Sequence, residues 1–243
     1  MDGGGLDLLD DESRAAADIF AERYRALRLH EGWVDPTGRQ PVGGRPELWR
    51  RLKSASRAAT LVANEWPNPA GRVVADVGSG TGWAQPLFDG FGVIAFDLLP
   101  TTPTGKALHV RADMRKLPLR DATIDAAFFS ASLHYAPLAD ALKEAARVVR
   151  QGGLILIVDS PIYTHSASRA RAAERSASYY ADAGYPELAA HYHPAEIGEL
   201  RSAVAESGFA LERLRAEGPL EAIWRRAAGR PQATLLVGRR MRV

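Results

Sequence analysis

The chain contains no cysteine, which excludes disulfide scaffolds, thiolate metal centres and cysteine nucleophiles. It also lacks long apolar runs: the longest, such as Leu154–Val158, are far shorter than the roughly 20 residues that a membrane-spanning helix needs. No basic stretch followed by an apolar segment stands at the N-terminus, so no secretory signal is visible. We therefore expect a soluble cytoplasmic protein without a membrane span.

The 243 residues are 46% hydrophobic and 25% charged, which is typical of a globular protein. The formal net charge is +2, but Met1–Glu12 holds five acids and no base, so the remainder carries +2 + 5 = +7. The arginines are scattered rather than clustered. A basic excess of this kind is weak support for a nucleic-acid partner. We expect none.

The pattern along the chain divides it into three parts. Residues 1–12 are predicted to be a flexible acidic leader. Residues 13–69 are predicted to form a helical cap from two amphipathic helices, Arg14–Leu29 and a second that begins at Pro46 or Glu47 and ends before Pro67. Residues 70–243 are predicted to form the main domain.

Short apolar runs with β-branched residues then alternate with helical patterns, which indicates an α/β fold with a parallel sheet covered on both faces. The predicted strands are Arg72–Val77, Gly92–Asp97, Leu108–Ala112, Ile124–Ser130, Leu154–Asp159, Phe209–Arg215 and Thr234–Arg239, and the predicted helices are Leu138–Arg150, Pro194–Ser207 and Glu221–Gly229. Residues 161–193 interrupt this alternation with an aromatic segment that has its own helix around Ala167–Ala181. We interpret that segment as a lid.

The most informative motif is Val73–Trp83, VVADVGSGTGW, in which an apolar strand leads into a glycine-rich turn. Such a turn lets backbone N–H groups and a helix N-terminus approach a ligand without interference from a Cβ atom. Dinucleotide-binding enzymes use the spacing G-x-G-x-x-G, with a third glycine that packs helix against strand. Here the spacing is G-x-G-x-G, and Trp83 takes the place of that last glycine, which disfavours NAD.

The turn resembles motif I of the class I S-adenosylmethionine-dependent methyltransferases. Further elements match that family in order: Asp97 ends the second strand, Ala112-Asp113-Met114 precedes Leu117-Pro118-Leu119, Asp125–Leu133 leads into His134-Tyr135, and Glu144–Leu154 reads EAARVVRQGGL. The branch it resembles most is that of the ubiquinone and menaquinone biosynthesis methyltransferases, which act on small molecules.

The resemblance implies a Rossmann-like, doubly wound sheet of seven strands in the order 3-2-1-4-5-7-6. Its last strand, Thr234–Arg239, would be antiparallel. The cofactor would be S-adenosyl-L-methionine, with Asp97 on the ribose hydroxyls, Leu98 and Met114 on the adenine, Asp113 on its amino group and Asp76 on the amino-acid end. The full set of cofactor-binding residues that we expect is Tyr24, Asp76, Gly78, Ser79, Gly80, Gly82, Asp97, Leu98, Asp113, Met114 and Ser130.

His134 is the candidate catalytic residue, because it follows the fourth strand where a methyl group would lie; the alternative is a pocket wall. Candidate substrate residues are Tyr135, Tyr163, His165 and His193. His191 and His193 could begin a metal site with a carboxylate such as Glu196. No residue stands at a convincing spacing to serve as the third ligand, so we expect no metal site. Three lid arginines, Arg169, Arg171 and Arg175, either attract an anionic substrate or form a solvated face.

The function expected from these residues is methyl transfer to an oxygen, nitrogen or carbon atom of a small, ring-bearing molecule. Two alternatives stay open. One is an RNA or protein methyltransferase, and the other is a protein that binds S-adenosylmethionine without catalysis.

Overall fold

The computed structural model describes residues 5–35, 46–100, 105–216, 227, 231 and 234–242. Five α-helices lie in these ranges: α1 Asp11–His30, α2 Pro46–Glu65, α3 Leu138–Val148, α4 Ser166–Asp182 and α5 Ile197–Glu206. The strands are β1 Leu6–Asp7, β2 Val73–Val77, β3 Gly92–Asp97, β4 Leu108–Arg111, β5 Ile124–Ser130, β6 Val149–Val158, β7 Ile162–Tyr163, β8 Ala195–Glu196, β9 Phe209–Ala216 and β10 Thr234–Arg240. The helix predicted over Glu221–Gly229 falls outside the described residues apart from Ala227.

The main sheet has eight strands in the order β1-β4-β3-β2-β5-β6-β10-β9. Strand β10 runs antiparallel to both of its neighbours, β6 and β9, whereas β4, β3, β2, β5 and β6 are mutually parallel. The order 3-2-1-4-5-7-6 with an inserted antiparallel strand is therefore confirmed. A small second pairing joins β7 to β8.

The eighth strand, β1, is the difference from the expected seven. Leu6 and Asp7 pair in parallel with Val110 and Arg111 of β4. Arg111 explains this pairing, because its guanidinium bonds Asp7 at 3.3 Å and Asp18 of α1 at 2.6 Å. Asp7, one of the acids in the predicted leader, thus pairs with a base that lies far along the chain.

The sheet is covered on both faces, as predicted. On one face, α3 and α5 bury Ala141, Leu142 and Leu200. On the other, α2 buries Ala58 and Val62 against the sheet. These two layers hold most of the buried hydrophobic residues in the described ranges. Each large side chain among them contributes roughly 2 kcal/mol of favourable transfer free energy when it is fully removed from water.

After β2, the glycine turn leads into a four-residue 3₁₀ helix, Gln85–Phe88. Pro86 is compatible with its first turn, and the chain then enters β3 directly. The N–H groups of Gly78, Ser79 and Gly80 are bonded to Phe96 and Asp97, so the turn shapes this edge of the sheet through its own backbone bonds rather than through the dipole of a long helix.

The cap helix α1 crosses the carboxyl ends of the parallel strands. It begins near β4, where Asp10 caps it by accepting from the Ser13 N–H at 2.9 Å. Phe20 and Leu27 then pack against Tyr180 of α4 and Leu188 of the 3₁₀ helix Pro186–His191. This contact joins the cap to the lid above the sheet.

Candidate functional site

A cavity of about 960 Å³ lies over the carboxyl ends of β2, β3, β4 and β5, under the α1 helix. Ligands bind at this edge in open α/β sheets. The predicted site residues that line it are Tyr24, Gly78, Ser79, Gly80, Asp97, Leu98, Asp113, Met114, Ser130, Tyr135 and His193. The structure thus brings together residues that are far apart in the sequence.

The glycine turn is shaped by tight contacts beneath it. The backbone N–H groups of Gly78 and Ser79 both donate to the carbonyl of Phe96, at 2.8 and 3.0 Å. Gly78 has φ +71°, and a Cβ there would lie 2.4 Å from the Cβ of Ser132, so only glycine fits. Gly80, with φ +56°, faces open space instead. Its missing side chain keeps that part of the cavity free.

Asp97 ends β3 and is half-buried at the cavity, and its neighbour Asp76, near the end of β2, is buried. The Asp97 carboxylate accepts from the Gly80 N–H at 2.6 Å and from the Leu99 N–H at 2.8 Å. Burial raises the pKa of Asp97. Burial and the neighbouring Asp97 charge raise the pKa of Asp76 to about 7. The Oδ2 atom of Asp76 has no hydrogen-bond partner among the described residues, so this carboxyl is suited to a positively charged ligand group.

Asp113 follows β4 and is held by its neighbour Arg115. The guanidinium of Arg115 donates to both carboxylate oxygens, with Nε to Oδ1 and to Oδ2 each at 3.0 Å. Asp113 also accepts from the backbone N–H of Arg115 at 2.8 Å. These bonds fix the carboxylate at the rim of the cavity, beside Met114.

The roof of the cavity is aromatic. The rings of Phe20 and Tyr24 stack with centroids 5.4 Å apart, and Phe20 meets His191 at 4.6 Å. Tyr24 and Tyr135 lie nearly perpendicular, and their hydroxyl oxygens are 3.3 Å apart. Burial raises the pKa of Tyr135 well above its ordinary value. Its phenol is therefore protonated at neutral pH.

His134 lies behind this roof and is not among the residues that line the cavity. Its ring packs against Tyr135 at 4.2 Å and Tyr192 at 5.5 Å, and its Nδ1 is buried without a partner in the described part of the chain. Burial lowers its pKa to about 3, and the charges of Arg51 and Arg28 act in the same direction. An imidazole with so low a pKa is neutral and weakly basic at pH 7.

Other predicted residues lie away from the cavity. Tyr163 is buried in β7, and His165 is exposed at the start of α4. Glu196 caps α5 in a capping box with Glu199 instead of facing the histidines. Among the described residues, no cluster of three His, Asp or Glu side chains is arranged to hold a metal ion.

Two buried cofactor candidates also lie outside the cavity lining, Asp76 beneath the turn and Gly82 against Gln85. Sequence reasoning overlooked several lining residues that come from the cap: Phe20, Arg28, Trp33 and Arg51. Of the lid arginines, none lines the cavity, and Arg169 pairs with Glu199 at 3.1 Å. In the described ranges, no helix is both long and apolar enough to cross a bilayer.

Comparison with known proteins identifies the family. A family model described as a hypothetical methyltransferase matches residues 7–171. The chain belongs to this methyltransferase family. The match includes α1 and the glycine turn and extends through β6, so the cap helix is part of what the family shares.

Two curated proteins with different descriptions are similar to the chain. The chain is 31% identical over 140 residues to the malonyl-[acyl-carrier protein] O-methyltransferase of Dechloromonas aromatica, covering 48% of this chain and 52% of that protein. It is 28% identical over 164 residues to ribosomal RNA-processing protein 8 of Caenorhabditis briggsae, covering 65% of this chain and 44% of that one. The chain therefore matches about half the length of these curated relatives.

The fold agrees with that of solved methyltransferases. The 1,6-didemethyltoxoflavin-N1-methyltransferase of Burkholderia thailandensis, solved with 1,6-didemethyltoxoflavin and S-adenosylhomocysteine, superimposes with a TM-score of 0.59. The identity is 15%, and the match covers 97% of this chain and 92% of that one. The two chains therefore share the fold over most of their lengths.

Proposed function

We propose that this methyltransferase transfers a methyl group from S-adenosylmethionine to a small, ring-bearing molecule. The observation that carries the proposal is that one roofed cavity joins the glycine turn and Asp97 to an aromatic region beside the end of β5. The part of the cavity that would hold the cofactor is therefore continuous with the part that would hold the acceptor. Enclosure under α1 favours an acceptor small enough to enter.

The residues present fit the cofactor. Asp97 would accept hydrogen bonds from the ribose hydroxyls through the carboxylate lone pairs that the N–H groups of Gly80 and Leu99 do not use. Leu98 would pack on the adenine, and Asp76, which is buried beneath the turn outside the cavity lining, would contact the ammonium group through a water molecule. The open space at Gly80 is what a bound nucleoside requires. Each of these assignments is part of the proposal.

When bound, S-adenosylmethionine supplies an electrophilic methyl group on a good leaving group, so the protein contributes alignment and exclusion of water. Phe20 and Tyr24 of the roof would exclude water from the acceptor half. The protonated phenol of Tyr135 would donate a hydrogen bond to the acceptor. His134, with its low pKa, would shape the wall behind Tyr135 and would be a poor proton acceptor.

The experiment that tests the cofactor site is calorimetric titration with S-adenosylhomocysteine. We expect micromolar binding that is lost in Asp97→Ala, because the carboxylate both holds the glycine turn and contacts the ribose. The matched control is Asp89→Ala, an exposed acid just after the 3₁₀ helix, which should bind as the wild type does. Equal affinity in Asp97→Ala and wild type would contradict the ribose assignment.

RNA is the second candidate acceptor, favoured by the similarity to ribosomal RNA-processing protein 8. Binding to RNA depends steeply on salt because condensed counterions are released. Filter binding of total RNA over a salt series distinguishes the two acceptors. A small-molecule enzyme should retain no RNA at physiological salt, whereas salt-dependent retention there would favour the RNA alternative.

The proposal also includes the cytoplasmic location expected from the sequence. Fractionation of cells that express the tagged chain would test it. Recovery in the membrane pellet after a salt wash would contradict it.

A further inference from the structure

Charge is distributed unevenly along the cavity. The carboxylates that line it are Glu12, Asp97 and Asp113, from the start of α1 and the ends of β3 and β4, where Arg115 also lines the cavity and pairs with Asp113. Helix α1 begins near β4, where Asp18 pairs with Arg111, and it ends near the residues that follow β5. At that second end the lining residues include three arginines, Arg25, Arg28 and Arg51.

Arg28 is held in one position by its neighbours. Its Nη2 donates to the hydroxyl of Tyr135 at 3.0 Å, and its Nη1 donates to Glu31 at 2.6 Å. Its guanidinium also lies over the ring of Tyr24, 4.6 Å from the centroid. Since Glu31 balances part of the charge, Arg28 contributes mainly a rigidly placed set of donors.

Arg51 supplies charge for which the described residues show no counter-ion. It projects from α2, is half-buried, and lies over the ring of Trp33 at 4.7 Å. Within the described ranges, no carboxylate comes within ion-pair distance of its guanidinium. A cation that is partly removed from water without a counter-ion is costly, and an anionic ligand would offset that cost.

Arg28 and Arg51 place their positive charges close to the end of β5. Their positive charges are among the causes that lower the pKa of His134, which immediately follows that strand. The amino-acid end of the cofactor is assigned to Asp76 and the glycine turn, at the end of β2. Arg28 and Arg51 therefore lie on the acceptor side of the cavity rather than beneath the cofactor.

We infer that Arg28 and Arg51 bind an oxyanion of the acceptor, a carboxylate or a phosphate. This inference rests on the proposed function, since it divides the same cavity into a cofactor half and an acceptor half. Arginine is the residue best suited to this task, because its planar group can donate two parallel hydrogen bonds to either anion. The aromatic neighbours Tyr24 and Trp33 would contact the ring of the same molecule.

The test uses the whole 243-residue chain, saturated with S-adenosylhomocysteine and titrated with benzoate, phenyl phosphate and the neutral benzamide. We expect at least one anion to bind about tenfold more tightly than benzamide. That preference should disappear in Arg51→Gln. The matched control is Arg57→Gln, which removes an exposed arginine from the same helix and should leave the preference unchanged. The tighter of the two anions identifies which oxyanion the site prefers.

A second comparison tests whether Arg51 instead binds the cofactor's own carboxylate. S-adenosylhomocysteine and 5′-methylthioadenosine share the nucleoside, but only the former carries the amino-acid end. Arg51→Gln should leave the ratio of their affinities within about twofold of the wild-type ratio. A collapse of that ratio, or anions that bind no better than benzamide, overturns the inference while leaving the cofactor site intact. Failure of the wild type to bind S-adenosylhomocysteine contradicts the proposed function itself.

Discussion

Replacement of Gly80 by alanine separates the ligand-binding role of the glycine turn from its backbone role. Gly80 has φ +56°, and a Cβ built there meets no atom within 4 Å. The substitution should therefore lower the free energy of unfolding only by the strain of a non-glycine residue in the left-handed region, roughly 1–2 kcal/mol. The new methyl group nevertheless projects into the space that the cofactor would occupy.

Gly71 provides the matched control. It has φ +73°, and a Cβ there also meets nothing within 4 Å, but it lies before β2, at the opposite end of the sheet. Both alanine variants should lower the unfolding temperature by a similar amount, about 2–8 °C for a chain of this size. Differential scanning calorimetry of the two variants measures that shared backbone cost.

The two variants should differ in ligand binding. Gly80→Ala should weaken binding of S-adenosylhomocysteine by about tenfold or more, and Gly71→Ala should change it by less than about twofold. Isothermal titration calorimetry at one temperature gives both affinities. If Gly80→Ala bound as tightly as Gly71→Ala, the assignment of this turn to the cofactor would be refuted.

Two further predictions concern stability. Arg147 donates to the carbonyls of Leu117 and Leu119 and to buried Glu144. Arg147→Ala should therefore lower the free energy of unfolding, measured in urea, by roughly 2–3 kcal/mol. The control Arg120→Ala removes an exposed arginine and should cost less than about 0.5 kcal/mol, and equal losses in the two variants would refute the role of Arg147. The pKa of Asp76 is about 7 in the fold and near 3.8 when unfolded, so between these values only the folded state keeps its proton and stability should fall as pH rises. Asp76→Asn should flatten that fall in a pH series of unfolding temperatures, and an unchanged slope would show that Asp76 is not its source.

The strands of the sheet could be predicted because their signal is local. Gly92–Asp97 and Ile124–Ser130 have the bounds that their continuous apolar runs predict, since strands buried on both faces need no polar alternation. The glycine turn was equally clear, because its spacing is a local pattern in the sequence, although the contacts that require Gly78 come from Phe96 and Ser132. Elements that depend on distant partners were not predicted.

The strand β1 and the acceptor-side arginines illustrate that limit. Leu6–Asp7 is too short to show a pattern, and it forms a strand because Arg111 and β4 offer partners about a hundred residues away. Arg28 looks like an ordinary solvated residue of an amphipathic helix until Tyr135 is placed beside it. The lid arginines were singled out instead, because nothing local distinguishes an arginine that faces a cavity from one that faces solvent.

The central claim, methyl transfer to a small acceptor, is tested most directly by following the methyl group itself. The protein would be incubated with S-adenosylmethionine carrying a tritiated methyl group and with a cell extract separated into small-molecule, RNA and protein fractions. We predict label in the small-molecule fraction, present with the Asp89→Ala control and absent with Asp97→Ala. Label that entered RNA or protein, or no transfer to any fraction, would contradict the account.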